Sequence, residues 1–115
     1  MNTVYYLPSC DTCRKILASL PQNDLLLRDI KQQPISQGEL EKMRNLAGSY
    51  EALFSRKAQL YKARGLKDQK LSEDDYKNLI LEHYTFLSRP VFIIDEKIYV
   101  GNSAKNVGNV VEALK

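Results

Sequence analysis

Thr3-Val4-Tyr5-Tyr6-Leu7-Pro8-Ser9-Cys10-Asp11-Thr12-Cys13-Arg14-Lys15-Ile16-Leu17-Ala18-Ser19-Leu20 is the stretch on which the fold turns. Thr3 to Leu7 are β-branched, aromatic or aliphatic, the composition of a strand, and Pro8 ends them because it has no N–H to donate to a ladder. Cys13, Ile16, Leu17 and Leu20 then recur at helical spacing until Pro21. A Cys-x-x-Cys pair therefore lies where a strand passes into a helix. A sulfur at that junction faces unpaired backbone N–H groups and the positive end of the helix dipole, which favour thiolate over thiol. A free cysteine titrates near about 8.5, and cysteines in such settings at about 3.5–7.5. Cys10, at the cap, gains most. Cys13, one turn in, is the natural resolving thiol, placed to attack a mixed disulfide or an oxidised Cys10.

Outward from this stretch, Leu25 to Leu27 read as a second strand, short and apolar, as expected if it is buried on both faces. Strand, helix and strand make a βαβ unit with a right-handed crossover. The middle of the chain is helical. Ser36-Gln37-Gly38-Glu39 has capping-box spacing, with Ile35 and Leu40 as a hydrophobic staple, and Leu40, Met43, Leu46 and Ala47 share a face. Tyr50, Leu53 and Phe54 begin a short helical piece, and Ala58 to Arg64 form another that stops near Gly65. Ser72 to Asp75 cap the next helix, which aligns Tyr76, Leu79, Ile80 and His83. Val91 to Ile94 and Ile98 to Val100 flank Asp95-Glu96-Lys97 as an antiparallel hairpin. Ser103 caps a last helix carrying Val107, Val110, Val111 and Leu114. This order predicts an α/β fold: a thioredoxin-like core, βαβ…ββα, on a mixed four-stranded sheet. It predicts one domain over residues 1–115, with its core in 1–30 and 86–115 and a helical insertion over about 31–85.

Bulk properties agree with that reading. The 115 residues are 43% hydrophobic and 27% charged, ordinary for a globular domain and unlike a disordered chain. A net charge of +3, with both signs interspersed, excludes a dedicated nucleic-acid binder. No apolar run approaches the roughly 20 residues of a membrane helix, and Met1 to Leu7 show no basic n-region before an apolar h-region. The expectation is a cytoplasmic protein with no direct nucleic-acid or membrane partner. Two cysteines make no disulfide framework, and in that compartment such a pair suggests redox or metal chemistry.

Each candidate residue also has a plainer reading. Cys10 and Cys13 could be buried structural thiols, since free cysteine packs as a small hydrophobe. They could be half of a zinc site, but zinc takes four ligands and His83 is the one histidine left to help. Redox chemistry is favoured because two cysteines at this spacing directly after a strand seldom arise from packing; no metal is expected. His83 suits packing or contact with a helix C-terminus. Arg56, Lys57, Lys62, Arg64, Lys67 and Lys70 against Asp68 read as a solvated helical face, or else as a docking patch for an acidic partner. Arg89-Pro90 precedes an apolar strand, the place where thioredoxin-like folds hold a proline in cis; that would set Arg89 facing the Cys10 sulfur.

Pro8-Ser9-Cys10-Asp11-Thr12-Cys13-Arg14-Lys15, then Ser55-Arg56-Lys57, then Leu87-Ser88-Arg89-Pro90-Val91 resemble the arsenate-reductase-like family in order and spacing, over nearly the whole chain. The family includes glutaredoxin-linked arsenate reductases and Spx-type redox regulators that bind RNA polymerase. The resemblance implies Cys10 as nucleophile, Cys13 as second thiol, and Arg56, Arg89, Thr12 and Arg14 as substrate-binding residues, with Pro90 a structural cis proline. A planar guanidinium suits arsenate-like oxygens and supports a nearby thiolate. Two departures lean toward the Spx-type pattern: Gly101 stands where the reductases carry a third arginine, and Cys13 where they carry serine. Gly48, in the segment those regulators use near the polymerase subunit, leans the same way. The implied activity is a thiol-dependent reductase acting on an oxyanion or mixed disulfide, with no bound cofactor and with glutathione as co-substrate or glutaredoxin as partner. The alternative is a regulator that binds the RNA polymerase α subunit through a Cys10–Cys13 switch.

Overall fold

Val91-Phe92-Ile93-Ile94 is buried along its whole length, and the sheet explains why. A computed structural model describes residues 2–21 and 25–115; Met1 and residues 22–24 of the expected 1–30 core lie outside it. Four strands, β1 (Thr3–Tyr6), β2 (Leu26–Asp29), β3 (Val91–Ile94) and β4 (Lys97–Val100), form one sheet in the order β2-β1-β3-β4. β1 runs parallel to β2 and antiparallel to β3, and β3 is antiparallel to β4, so the sheet is mixed, as the order of elements predicted. β3, inside the sheet, needs apolar residues on both faces.

Five helices accompany it: α1 (Asp11–Ser19), α2 (Gln37–Ala47), α3 (Gln59–Ala63), α4 (Glu73–Glu82) and α5 (Ala104–Ala113). Two compact units result, Met1–Gln33 with Arg89–Lys115, and Pro34–Ser88. In the first, α1 and α5 bring Ile16 and Val110 against Val4, Phe92 and Ile94, with Leu17, Leu20, Val107 and Leu114 packed around them. In the second, Phe54 is the hub: its ring lies 4.9 Å from Tyr76, 5.4 Å from Phe86 and 5.8 Å from Tyr61.

Local signals set most boundaries. Ser36 accepts from the Glu39 N–H while the Glu39 carboxylate accepts from the Ser36 N–H, and Ser72 and Asp75 repeat this reciprocal box at α4. Gly48 ends α2 at φ 100°, in the left-handed region. Glu73, in the first turn of α4, serves another segment, since its carboxylate accepts from the Tyr50 and Glu51 N–H groups.

Three expectations are corrected. The second strand is not buried on both faces: Leu26 and Leu27 are 47% and 53% exposed, because β2 is an edge strand bonded to β1 alone. It also runs on to Asp29, and Arg28 lies over the Tyr5 ring. The hairpin turn is Asp95-Glu96, with Lys97 already paired to Ile94; both turn residues have positive φ, 50° and 68°, as a two-residue turn matched to strand twist requires. His83 is not on the helical face of α4. It leaves the helix at φ −149°, and its Nδ1 accepts from the Thr85 N–H to cap the next short turn.

Candidate active site

The turn after β1 delivers the first cysteine to the end of α1. Pro8 and Ser9 carry the chain round, the Cys10 N–H donates to the Leu7 carbonyl at 3.0 Å, and the Cys10 carbonyl accepts the first helical bond from Arg14 at 3.1 Å. Cys10 is thus the N-cap residue, with extended backbone (φ −88°, ψ 112°). Its sulfur meets the Thr12 and Cys13 backbone amides at the start of the helix, and the residue stays half-buried. Cys13 lies one turn on and is completely buried.

The surroundings split the two thiols. Burial pushes Cys10 up, but hydrogen bonds from the Cys13 backbone and the Cys13 thiol, the Arg89 charge and the Thr12 backbone outweigh it, and the net direction is below the ordinary thiol value. Cys13 is pushed up to about 11, by burial first and then by its hydrogen bond to Cys10 and the Cys10 charge, against a bond from the Leu7 backbone and the attraction of Arg89. The two thiols are pulled apart, Cys10 toward easier ionisation and Cys13 toward keeping its proton.

Arg89 enters from the loop before β3. The Arg89–Pro90 bond is cis, Pro90 is fully buried, and the Arg89 charge acts on both sulfurs. The Arg89 Nη1 is buried with no hydrogen-bond partner among the described residues, a cationic donor left without an acceptor. Gly101, on the far side of the hairpin, donates its N–H to the Pro90 carbonyl at 2.9 Å.

The structure brings Cys10, Cys13, the Thr12 backbone, Arg89 and Pro90 together. It does not bring Arg14 to the sulfur: Arg14 pairs with Asp11 on the exposed side of α1. Arg56 belongs to the second unit, where it pairs with Glu51 at 2.6 Å, donates to the Tyr76 hydroxyl at 3.1 Å and lies over the Tyr76 ring. Arg64, in the same basic stretch, pairs with Glu82 at 2.7 Å. Sequence reasoning missed Asn106, whose side-chain amide donates to the Gly101 carbonyl at 2.8 Å. The spacing Ser103-x-x-Asn106 could have drawn attention to it, as a capping pattern with an amide where the other two helices have an acid.

The family model described as the ArsC family matches residues 5–110. The chain is similar to the global transcriptional regulator Spx of Bacillus subtilis, 28% identical over 104 residues that cover 88% of this chain and 79% of the relative. It is similar to an arsenate reductase of Acidiphilium multivorum, 27% identical over 94 residues, 79% of this chain and 67% of the relative. Among solved structures, an arsenate reductase from Vibrio cholerae superposes with a TM-score of 0.79 at 24% identity, over 98% of this chain and 97% of that one, a likeness of fold.

Proposed function

The chain belongs to the ArsC family, and on that premise we propose that it is a thiol-dependent reductase whose nucleophile is Cys10. The observation that carries the reading is the inequality of the two thiols, Cys10 held below its ordinary value and Cys13 pushed up to about 11. Nucleophilic attack needs a thiolate that water does not quench, and Cys10 has donors and a positive charge directed at it without being shut away.

On a disulfide substrate, the Cys10 thiolate attacks one sulfur, a Cys10–substrate disulfide forms, and the other sulfur leaves as a thiolate that takes a proton from water. Cys13 then loses its proton to solvent and attacks the Cys10 sulfur. The remaining substrate sulfur leaves, and two electrons have passed from the protein thiols to the substrate. Once Cys10 is esterified or bridged it carries no charge, so the Cys10 contribution that keeps Cys13 protonated disappears at the step that needs Cys13 as nucleophile. On an oxyanion, the Cys10 sulfur bonds the central atom as water leaves. A second thiol then attacks that sulfur, and the bonding pair remains on the central atom, which departs reduced. Arg89, with its unsatisfied Nη1, supplies the donor for the substrate's negative oxygen. Glutathione or glutaredoxin supplies the reducing equivalents, in the cytoplasm, where thiols stay reduced.

Turnover of arsenate and of a glutathione mixed disulfide, each with glutathione and glutaredoxin, tests this reading. Consumption that disappears in Cys10→Ser supports it. No turnover of either substrate by protein whose Cys10 alkylates readily overturns it.

The hydrogen bond between the two free thiols favours a second reading, an Spx-type switch in which a Cys10–Cys13 disulfide alters binding to the RNA polymerase α subunit. The likeness to the Bacillus subtilis regulator supports it. Capture of purified α subunit under oxidising and reducing conditions separates the readings, and equal absence of binding in both removes the second.

A further inference from the structure

Three helices of this chain start on a serine cap, and their third residues differ in what they do. At α2 and α4 an acid, Glu39 or Asp75, reaches back to the N–H of its serine. At α5 the cap is kept, because Ser103 accepts from the Asn106 N–H at 3.1 Å, but the Asn106 side chain turns away and donates to the Gly101 carbonyl at 2.8 Å. A carboxylate at this position has no proton to donate and could not make that bond. The amide therefore serves the preceding loop, at the expense of the second half of a capping box.

The loop it serves leads to the site. Gly101 has φ 95°, which lets the chain turn sharply out of β4. Its N–H donates to the Pro90 carbonyl at 2.9 Å, one step beyond the Val91–Val100 pair. Pro90 has no N–H, so the carbonyl is its one backbone group that can be anchored. Arg89 is the next residue back, and no hydrogen bond at its buried Nη1 holds the guanidinium from the side-chain end.

We propose that Asn106 is a positioning residue for the thiol site, its amide holding Gly101, Gly101 holding Pro90, and Pro90 setting the place of Arg89 at the Cys10 sulfur. The proposal rests on the reading of Cys10 as the reactive thiol. Loosening the bond at Asn106 lets the Gly101 loop and the Pro90 carbonyl shift, and the guanidinium loses its fixed distance from the sulfur, although no residue at position 106 touches Cys10.

The test is the pH profile of iodoacetamide alkylation at Cys10, measured on the full chain as wild type, Asn106→Ala, Asn106→Asp, Arg89→Ala and the Arg89→Ala/Asn106→Ala double variant, beside thermal melts of each. Asn106→Ala should move the midpoint to higher pH and slow alkylation below it by about 3–10-fold, as the thiolate fraction falls. Asn106→Asp should move it in the same direction while melting no lower than Asn106→Ala, since aspartate can complete the capping box. In the Arg89→Ala background the Asn106→Ala change should add nothing. An unchanged midpoint in both Asn106 single variants would overturn the proposal, and so would an undiminished shift with Arg89 already removed. Alkylation needs no turnover. A shifted midpoint in a protein that reduces nothing would sink the reductase reading and keep this one, and an unshifted midpoint in an active protein would do the reverse.

Discussion

The Cys13 thiol is hydrogen-bonded to the Cys10 sulfur across the first turn of α1, and that single contact moves the two groups in opposite directions. Cys13 donates, so the bond favours the Cys10 anion and keeps the Cys13 proton in place. Burial raises both, but Cys13 is wholly enclosed, and the Cys10 charge raises it further. On the proposed reading, that asymmetry between cap and first turn is what makes Cys10 the nucleophile and Cys13 the second thiol.

Serine at position 13 keeps a donor, and alanine removes it. Cys13→Ser should leave the pH midpoint of Cys10 alkylation near the wild-type value. Cys13→Ala should raise it and slow alkylation at pH 6.5 by about 3–10-fold. Equal profiles for the two variants would show that the Cys13 hydroxyl or thiol donor has no part in holding the anion.

The raised Cys13 value sets a stability trend at alkaline pH. The folded protein holds the Cys13 proton up to about 11, against an ordinary thiol value of 9.0, so the unfolded chain ionises first as pH rises. The contribution of Cys13 to stability is full below pH 9 and is lost between pH 9 and about 11. Cys10 runs the other way: its lowered value adds stability above the unfolded value, and that addition fades as pH falls through the folded one. Urea unfolding from pH 8 to 11 should show an alkaline decline that is shallower in Cys13→Val. An equally steep decline in that variant would assign the loss to other groups.

Arg89 acts through charge at the sulfur and through its planar fork at the substrate. Arg89→Lys should keep most of the Cys10 reactivity toward iodoacetamide while lowering kcat/KM for an oxyanion by about tenfold or more, the scale of one lost charged donor. Arg89→Ala should lower both. If Arg89→Lys were as impaired in alkylation as Arg89→Ala, the charge would not be the operative property.

The turn at Asp95-Glu96 places two ordinary residues at φ 50° and 68°. Glycine has no Cβ to clash there. Glu96→Gly should stabilise the protein by about 1 kcal/mol, net of the extra freedom glycine has in the unfolded chain. A thermal melt checks it, and a lower melting temperature would mean that the Glu96 side chain contributes more than its backbone costs.

Capping gives a control in the other compact unit. Ser36→Ala removes the acceptor for the Glu39 N–H and should cost about 1 kcal/mol without moving the Cys10 alkylation profile. Urea midpoints and alkylation on the same samples decide it.

Much of this protein was legible in local pattern. Ser36, Ser72 and Ser103 announced three helices because a cap is satisfied by residues three positions away. Cys10 and Cys13 announced the site because a strand, a proline and a helical period surround them within one short stretch. Leu25 to Leu27 misled for the opposite reason. Their apolar run is as consistent with an edge strand as with an inner one, and what lies beside a strand is a matter of partners distant in sequence. The family resemblance is what points Arg14 and Arg56 at the site, whereas Asp11 pairs with Arg14 and Glu51 and Tyr76 hold Arg56 locally. Asn106 escaped notice because its partner, the Gly101 carbonyl, matters only through the Pro90 carbonyl across the hairpin.

By itself the sequence determined the order of helices and strands, the three serine caps, which sulfur heads a helix, and which family the pattern resembles, since propensity, capping and periodicity act over a few neighbouring residues. Tertiary structure alone decided that β2 lies at the sheet edge, that Arg14 pairs with Asp11 rather than at the sulfur, and that the Asn106 amide turns to the Gly101 carbonyl. Strand order and hairpin register decide which residues become neighbours, because Val4 meets Phe92 across the sheet and Gly101 meets Pro90 across the hairpin.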